Sequence, residues 1–128
     1  MALIKDISDN THLIRDYDVA IVKSRKRALE WIALISKKEK ISIKRIELKD
    51  FESFDDGTVS DTLSKIEDTN KFIESYANST IEVVSLVGSY DNSSFNLSVN
   101  LDSGYISICS RKKEQLNYES LEKILDLN

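Results

Sequence analysis

The sequence predicts an α+β domain in which about three helices pack on a four-stranded antiparallel sheet, made of one strand and a C-terminal three-stranded meander. Residues 81–110 contain three segments with strand-like patterns, and apolar residues recur at helical spacing on both sides of them. The chain has 128 residues and no proline, and no glycine-rich linker divides it. We therefore expect a single domain over residues 1–128.

The first 17 residues leave two alternatives open. Leu3, Ile4 and Ile7 fit either a short strand or one helical turn, and residues 9–11 are typical of a turn. The periodicity alone does not decide between a strand and a helix here.

A first helix is predicted from about Val19 to Lys38. At 100° per residue, its apolar side chains fall on one side and most of its charged side chains fall opposite. The apolar side consists of Ile21, Ala28, Trp31, Ile32 and Ile35. We therefore expect Trp31 to be largely buried and most bases of this helix to face solvent.

A strand is predicted for residues 41–48, although its alternation slips by one residue. A bulge near Lys44 and Arg45 would return all its apolar side chains to one face. These side chains are Ile41, Ile43, Ile46 and Leu48. A helix fits this segment less well, because three of the four are β-branched isoleucines.

A second helix is predicted to begin near Thr58 or Ser60 and to end at residues 78–80. Thr58 would act as the N-cap, with Asp61 adding an acid in the first turn. The apolar stripe of this helix would consist of Val59, Leu63, Ile66, Ile73 and Ala77.

Three strands are predicted over residues 81–88, 95–101 and 105–110. The first is apolar on both parities, which suits a central strand covered on both faces. The second alternates apolar residues with a polar stripe, for which a wet sheet face is a simpler explanation than a ligand site. Residues 102–104 are typical of a hairpin loop, with Gly104 at positive φ.

A final helix is predicted from about Lys113 to Leu127. Its buried side would use Leu116 or Tyr118, together with Leu121, Ile124 and Leu125.

Composition argues against most common enzyme classes. One histidine, His12, and one cysteine, Cys109, cannot form a His-based or Cys/His metal cluster within one chain. The three glycines lie far apart, so the chain has neither a phosphate-binding loop nor a dinucleotide fingerprint. We therefore predict a protein that is not an enzyme and uses no metal or cofactor.

Three features predict a cytoplasmic location. A single cysteine fits a reducing compartment, and the N-terminus lacks the charged and apolar regions of a signal peptide. No apolar run approaches the length of a membrane span, so we expect no membrane contact.

Charge is sorted along the chain. Ten bases between Ile21 and Lys49 face only three acids, which gives this segment a net charge of +7 in a chain of net charge −4. A dense acidic run follows directly. Clustered charge creates a surface potential that steers charged partners, although the sequence does not say what the +7 segment binds.

The acidic run forms the first candidate binding site. Aromatic residues flanked by acids can anchor an interface whose acidic rim steers a basic partner. The candidate partner-binding residues are Asp50, Phe51, Glu52, Phe54, Asp55, Asp56 and Asp61. The alternative is a solvated acidic loop with both phenylalanines packed in the core.

The basic segment forms an alternative site. Lys23 and Arg27 lie one helical turn apart and could straddle a nucleic-acid backbone. The candidate basic residues are Lys23, Arg25, Arg27, Lys44 and Arg45. A solvated helix face explains them more simply, because Glu30 and Glu39 are interspersed among the bases. An acidic protein partner is a further alternative.

The acidic patch from Asp50 to Asp61 and the layout with a C-terminal meander and helix resemble the immunity proteins of bacterial toxin–immunity pairs. Such proteins bind a secreted toxin domain, often a nuclease, and block its active site. The resemblance implies a non-enzymatic inhibitor that occludes the basic active site of a toxin. Richness in Ile, Lys, Asn and Ser is also typical of AT-rich bacterial or phage genomes. The alternatives are a nucleic-acid-associated module using the Lys23–Arg45 segment and a phage anti-defence inhibitor.

Overall fold

The computed structural model describes residues 3–8, 12–50 and 58–127. These residues form an α+β fold, as predicted, with three α-helices and one antiparallel sheet. The strands are β1 (Leu3–Ser8), β2 (His12–Asp18), β3 (Ile41–Asp50), β4 (Thr58–Leu63), β5 (Val83–Tyr90), β6 (Ser93–Asn100) and β7 (Tyr105–Arg111). The helices are α1 (Arg25–Ser36), α2 (Thr69–Tyr76) and α3 (Tyr118–Leu125), and a 3₁₀ helix at Ala20–Val22 precedes α1.

The described sheet has seven strands rather than the predicted four, in the order β1-β2-β7-β6-β5-β3-β4. The N-terminal alternative is settled in favour of strands, because β1 and β2 form a hairpin in which Ile7 lies opposite Ile14. β2 also pairs with β7 from His12 to Asp18. This pairing spans most of the chain, so local periodicity could not reveal it. The turn predicted at residues 9–11 lies outside the described residues.

The helix predicted to begin at Thr58 or Ser60 is wrong over its first half. Residues 58–63 form β4, an edge strand paired with β3, and Val59 is 43% exposed. Three of these six residues are β-branched, which favours a strand. Only the spacing of two apolar residues, Val59 and Leu63, favours a helix here. The helix α2 begins only at Thr69, where Asp68 is the N-cap and accepts from the N–H of Lys71 at 3.2 Å.

The strand β3 contains the predicted bulge. Its register against β5 shifts between Ile43 and Arg45, which makes Lys44 the additional residue. Ile41 and Ile46 are therefore both buried although they lie an odd number of residues apart.

The helix α1 confirms the predicted burial of Trp31, which is 6% exposed and donates from Nε1 to the Leu125 carbonyl at 3.2 Å. The helix starts later than predicted, because Ser24 is its N-cap and accepts from the N–H of Arg27. Ile21 therefore lies in the 3₁₀ helix and is 46% exposed instead of joining the buried side.

The three helices pack on one face of the sheet, where the core lies. Across the central strands this face presents fully buried residues such as Ile46, Leu86 and Leu97. We call the opposite side the open face. Its central row is polar and runs through Asp16, Ser107, Ser98, Ser85 and Glu47.

Contrary to the expectation of two covered faces, none of the described helices covers the second face of the first meander strand. Val83 and Val87 of β5 lie on this open face and are half-buried, whereas Ser85 between them is fully buried. The three predicted meander strands themselves are confirmed, and Gly104 has the expected positive φ of 78°.

The final helix is shorter than predicted. It begins at Tyr118 with Asn117 as its N-cap, and both Leu116 and Tyr118 are buried. Among the described helices, none has the length and apolar character needed to cross a bilayer.

Candidate binding surfaces

Most of the predicted acidic site falls outside the described residues. Phe51, Glu52, Phe54, Asp55 and Asp56 belong to the connection between β3 and β4, which begins after Asp50 and ends before Thr58. Asp50 and Thr58 are themselves paired across the two strands. Both ends of this acidic connection are therefore at the same end of the sheet.

This end of the sheet also collects acids from other strands, and we call it the acidic end. It is the end at which β2, β3 and β6 finish. Its described acids are Asp18, Asp50, Glu82 and Asp102. They come from segments far apart in the sequence, and the antiparallel strands bring them together.

Asp50 holds the end of β3 to the segment after α2. Its Oδ2 accepts from the Thr80 hydroxyl at 2.6 Å, and the residue is half-buried. A main-chain hydrogen bond joins the same two segments, in which the N–H of Glu82 donates to the Lys49 carbonyl at 3.0 Å. Asp50 therefore stabilises the fold through the Thr80 hydrogen bond and also directly precedes the acidic connection.

Asp61, the other described member of the predicted acidic site, uses both carboxylate oxygens internally. Oδ1 accepts from the N–H of Thr62 at 2.8 Å, and Oδ2 accepts from the Tyr76 hydroxyl at 2.9 Å. Burial, and then the hydrogen bond and negative charge of Asp61, raise the pKa of Tyr76 to about 12. Asp61 thus fastens the edge strand β4 to α2, which is a structural role.

One base at the acidic end, Arg25, is engaged by neighbouring groups. Arg25 donates to the carbonyls of Tyr76 and Ser79 at 2.9 Å each and forms an ion pair with Asp102 at 3.3 Å. Its side chain is 20% exposed, whereas that of Asp102 is 65% exposed. The carboxylate of this pair is therefore presented to solvent, while the guanidinium cross-links α1 to the end of α2.

The alternative basic site is not brought together as one surface. Lys23 and Arg27 belong to the helical layer, and Lys23 pairs with Asp18 at 3.4 Å. Arg45 lies on the opposite side, on the open face beside Val87, and its Nε contacts Glu47 at 3.2 Å. Since the sheet separates these bases, one nucleic-acid backbone could not follow all of them.

A second candidate site is a cleft of about 400 Å³ on the open face, at the end of the sheet opposite the acidic end. β6 and β7 pair from Val99 and Ile106 as far as Asn96 and Cys109, and beyond this point the two strands separate. We call this opening the β6–β7 cleft. Its walls include His12, Val87, Asn96, Cys109, Arg111 and Glu114.

The β6–β7 cleft contains a buried polar atom that lacks a partner. Asn96 Oδ1 is fully shielded from solvent and accepts no hydrogen bond from any described residue. Glu114 closes one side of the cleft, since its carboxylate accepts from the N–H of Ser94. Arg111 is exposed on the β7 side. The sequence pattern gave one signal of this site, the polar stripe of β6 that includes Asn96.

A buried ionic cluster lies beneath α3. Glu122 is 4% exposed, and its Oε1 accepts from the Tyr17 hydroxyl at 2.7 Å and from Arg15 Nη1 at 2.9 Å. The Arg15 guanidinium also lies 4.4 Å from the centre of the Tyr118 ring. Burial, and then Glu122, raise the pKa of Tyr17 far above its usual range. This cluster joins β2 to α3.

Within the described residues, no group of three or more His, Cys, Asp or Glu side chains could hold a metal ion. No protein-family model, curated protein or solved structure matches the chain. A functional proposal must therefore come from the chemistry of the surfaces described above.

Proposed function

We propose that the protein is a non-enzymatic inhibitor that binds a basic protein partner through its acidic end, in the manner of an immunity protein acting on a toxin in the bacterial cytoplasm. The partner-facing surface would combine Asp50 and Asp102 with the connection at residues 51–57. Its two phenylalanines would supply apolar anchors within an acidic rim.

The observation that carries this proposal is a difference in exposure at the acidic end. Arg25 is engaged by neighbouring groups, while the carboxylate with which it forms an ion pair is exposed to solvent. Arg25 is held by carbonyl oxygens, whereas Lys23, whose side chain is 56% exposed, is paired with the less exposed Asp18. In the Arg25–Asp102 pair, the carboxylate is more exposed than the guanidinium. The sequence has five further acidic and aromatic residues in the connection between Asp50 and Thr58. A negative potential at this end would attract a basic surface.

The nucleic-acid alternative has weaker support, because Arg25 is engaged internally and the sheet separates Lys23 and Arg27 from Arg45. A phage anti-defence inhibitor would use the same acidic end, so it differs from the immunity hypothesis only in its partner.

The test is coexpression of the protein with the product of the adjacent reading frame, followed by growth measurements and calorimetric titration of the purified pair. We expect restored growth and a binding affinity that falls at least tenfold in the variant Asp55→Lys/Asp56→Lys. The comparison variant, Lys23→Glu/Arg27→Glu, should not weaken binding, because it only removes positive charge near the acidic end. The opposite ranking would assign the site to the basic helix.

A random-sequence DNA duplex and a random-sequence RNA provide the second arm of the experiment. Contacts with phosphates give a steep decrease of log K with log salt. We expect no saturable binding to either nucleic acid at 150 mM salt. Tight binding with a steep salt slope would replace the inhibitor proposal with the nucleic-acid alternative.

A further inference from the structure

We propose that the outer face of α1 is a docking site for an acidic amphipathic helix of a partner protein. The outer face consists of the exposed side chains of α1 and its C-cap, which are Lys26, Arg27, Glu30, Leu34 and Lys37. This inference goes beyond the proposed function, because the acidic end would bind a basic partner and this face would bind an acidic one. Either interaction can fail without the other.

Two exposed apolar side chains border a groove at this face. Leu34 is 57% exposed and Ile21 is 46% exposed, and both line the same groove beside α1. Leu34 is the most exposed large apolar side chain among the described residues. Single exposed apolar residues are ordinary in soluble proteins, whereas adjacent ones around a groove indicate a contact surface.

The groove has the form of a site for one side chain of a second helix. Its walls on α1 are Arg27, Glu30, Trp31 and Leu34, which are spaced i, i+3, i+4 and i+7. Four residues at this spacing form the hole that receives a side chain in knobs-into-holes packing. The volume is about 140 Å³. Because a cavity of roughly 150 Å³ holds benzene, one leucine-sized side chain fits this groove.

The apolar wall of the groove is fixed before any partner binds. Trp31 is 6% exposed, and its Nε1 donates to the Leu125 carbonyl at 3.2 Å. Ile21 belongs to the 3₁₀ helix, where the N–H of Lys23 donates to the Ala20 carbonyl at 3.2 Å. A preformed groove lowers the entropic cost of association, because few side chains must be ordered.

The charge of the outer face selects an acidic partner. Three bases and one acid give this face a net charge of +2. Within the described part of the chain, neither Lys26 nor Arg27 forms an ion pair. Lys37 donates to the uncharged Thr69 hydroxyl at 2.8 Å. A second copy of this basic face would be repelled, whereas carboxylates beside an apolar side chain would pair with these bases.

A helix is the form of partner that fits both features. It presents apolar side chains at intervals of three and four residues, as required to fill a hole on α1, and its flanking positions can carry the acids. The 12 residues of α1 give a contact about 18 Å long, so a partner helix of about three turns covers the outer face. This interaction would give part of the basic segment a role.

The experiment is titration of the purified full chain with the acidic helical peptide Ac-EEALEEALEEALEE-NH2. Trp31, the one tryptophan of the chain, lines the groove and reports binding through its fluorescence and its indole N–H signal in NMR. We expect saturable binding with changes in both signals. A peptide with serine in place of each leucine, and a peptide with lysine in place of each glutamate, should each bind at least tenfold more weakly.

Two pairs of variants separate the outer face from the rest of the surface. Leu34→Ser and Arg27→Glu should each weaken binding of the acidic peptide at least tenfold. The matched controls are Tyr105→Ser, which changes an exposed apolar side chain on another element, and Lys113→Glu, which reverses an exposed base at the far end of the sheet. Both controls should bind as the wild type does.

The peptide series uses the wild-type protein, so it gives a result even if a variant is poorly folded. Absence of saturable binding, or equal binding of the serine or lysine peptide, would overturn the proposal. Equal losses in the control variants would also overturn it. Tighter binding of a random-sequence DNA duplex than of the acidic peptide would assign this face to nucleic acid instead.

Discussion

Individual side chains in this protein often connect two elements at once. Asp61 joins β4 to α2, Arg25 joins α1 to the segment after α2, and Glu122 joins α3 to β2. Each of these charged groups is recognisable in the sequence only as one more acid or base. Three predictions follow at this scale from the geometry of single residues.

Replacement of Trp31 should be among the most destabilising changes in the chain. The indole is 6% exposed and its Nε1 donates to the Leu125 carbonyl, so Trp31→Ala should cost about 3–5 kcal/mol of unfolding free energy in urea denaturation. Trp31→Phe should cost less than half as much, because it keeps most of the apolar contact. Equal losses for the two variants would mean that the hydrogen bond, rather than packing, dominates at this position.

Gly104 should tolerate no β-branched side chain. Its φ is +78°, and a Cβ would lie 2.7 Å from the Val22 carbonyl oxygen. Gly104→Val should therefore lower the unfolding free energy by more than about 1 kcal/mol. Ser103→Ala, next to it in the same turn, is the control and should cost less than about 0.5 kcal/mol. A neutral Gly104→Val would contradict the close approach of the turn to the 3₁₀ helix.

Tyr76 should contribute to a loss of stability at alkaline pH. Its pKa is about 12 in the folded chain and close to 10 in the unfolded chain, so the folded state retains this proton more strongly. The associated stabilisation is fully present below pH 10 and is lost as the pH rises to 12. Tyr76→Phe should therefore reduce the decrease in Tm between pH 9.5 and 11.5. An unchanged slope would show that the Asp61 contact is not maintained in solution.

At the level of elements, the sequence predicted the features whose cause is local. The bulge in β3 follows from a phase slip between Ile43 and Ile46, and the three meander strands follow from an apolar run, an alternating run and a glycine turn. The sequence left β1 open between a strand and a helical turn and did not reveal β2 or β4, because these strands depend on pairing with partners rather than on their own pattern. The same limit applies to the candidate sites. Cross-strand pairing brings the strands of Asn96 and Arg111 side by side, and helix packing gives Arg25 its hydrogen-bond partners.

The attachment of α3 to the N-terminal hairpin should depend on one carboxylate. Removal of Glu122 leaves the Arg15 guanidinium without this partner, in a site where the Arg15 side chain is 23% exposed. Because this site is partly exposed to solvent, Glu122→Ala should lower the unfolding free energy by about 2–3 kcal/mol, less than the loss of one partner of a fully buried ion pair. Glu122→Gln retains an acceptor and should cost less. Hydrogen exchange should locate the loss in β2 and α3 rather than in α2.

For the whole molecule, strand pairing redistributes the charge that is sorted along the chain. The acidic end gathers carboxylates from four segments beside Lys23, Arg25 and Lys49, whereas Arg111, Lys112 and Lys113 lie at the other end of the sheet beside Asp91 and Glu114. A distribution of this kind favours one orientation of approach for a charged partner. No single run of residues in the sequence contains this asymmetry.

This asymmetry should appear in binding kinetics. If a basic partner binds the acidic end, its association rate should fall about tenfold or more between low and high ionic strength, while the dissociation rate changes little. Stopped-flow measurements with the partner identified by coexpression would test this. Asp102→Asn, which removes an exposed charge at that end, should lower the association rate, and Asp91→Asn at the opposite end should not. A rate independent of salt would exclude electrostatic steering.

The position of Asp61 also has a consequence for how the protein behaves at high concentration. β4 lies at one edge of the described sheet, where free N–H groups offer a template for a strand from another copy. The Asp61 carboxylate accepts from the N–H of Thr62 and brings a charge to this edge, and the pairing with β3 shifts register nearby, between Leu48 and Lys49. We therefore expect the residue that fastens β4 to α2 to oppose edge-to-edge strand pairing between copies of the chain as well.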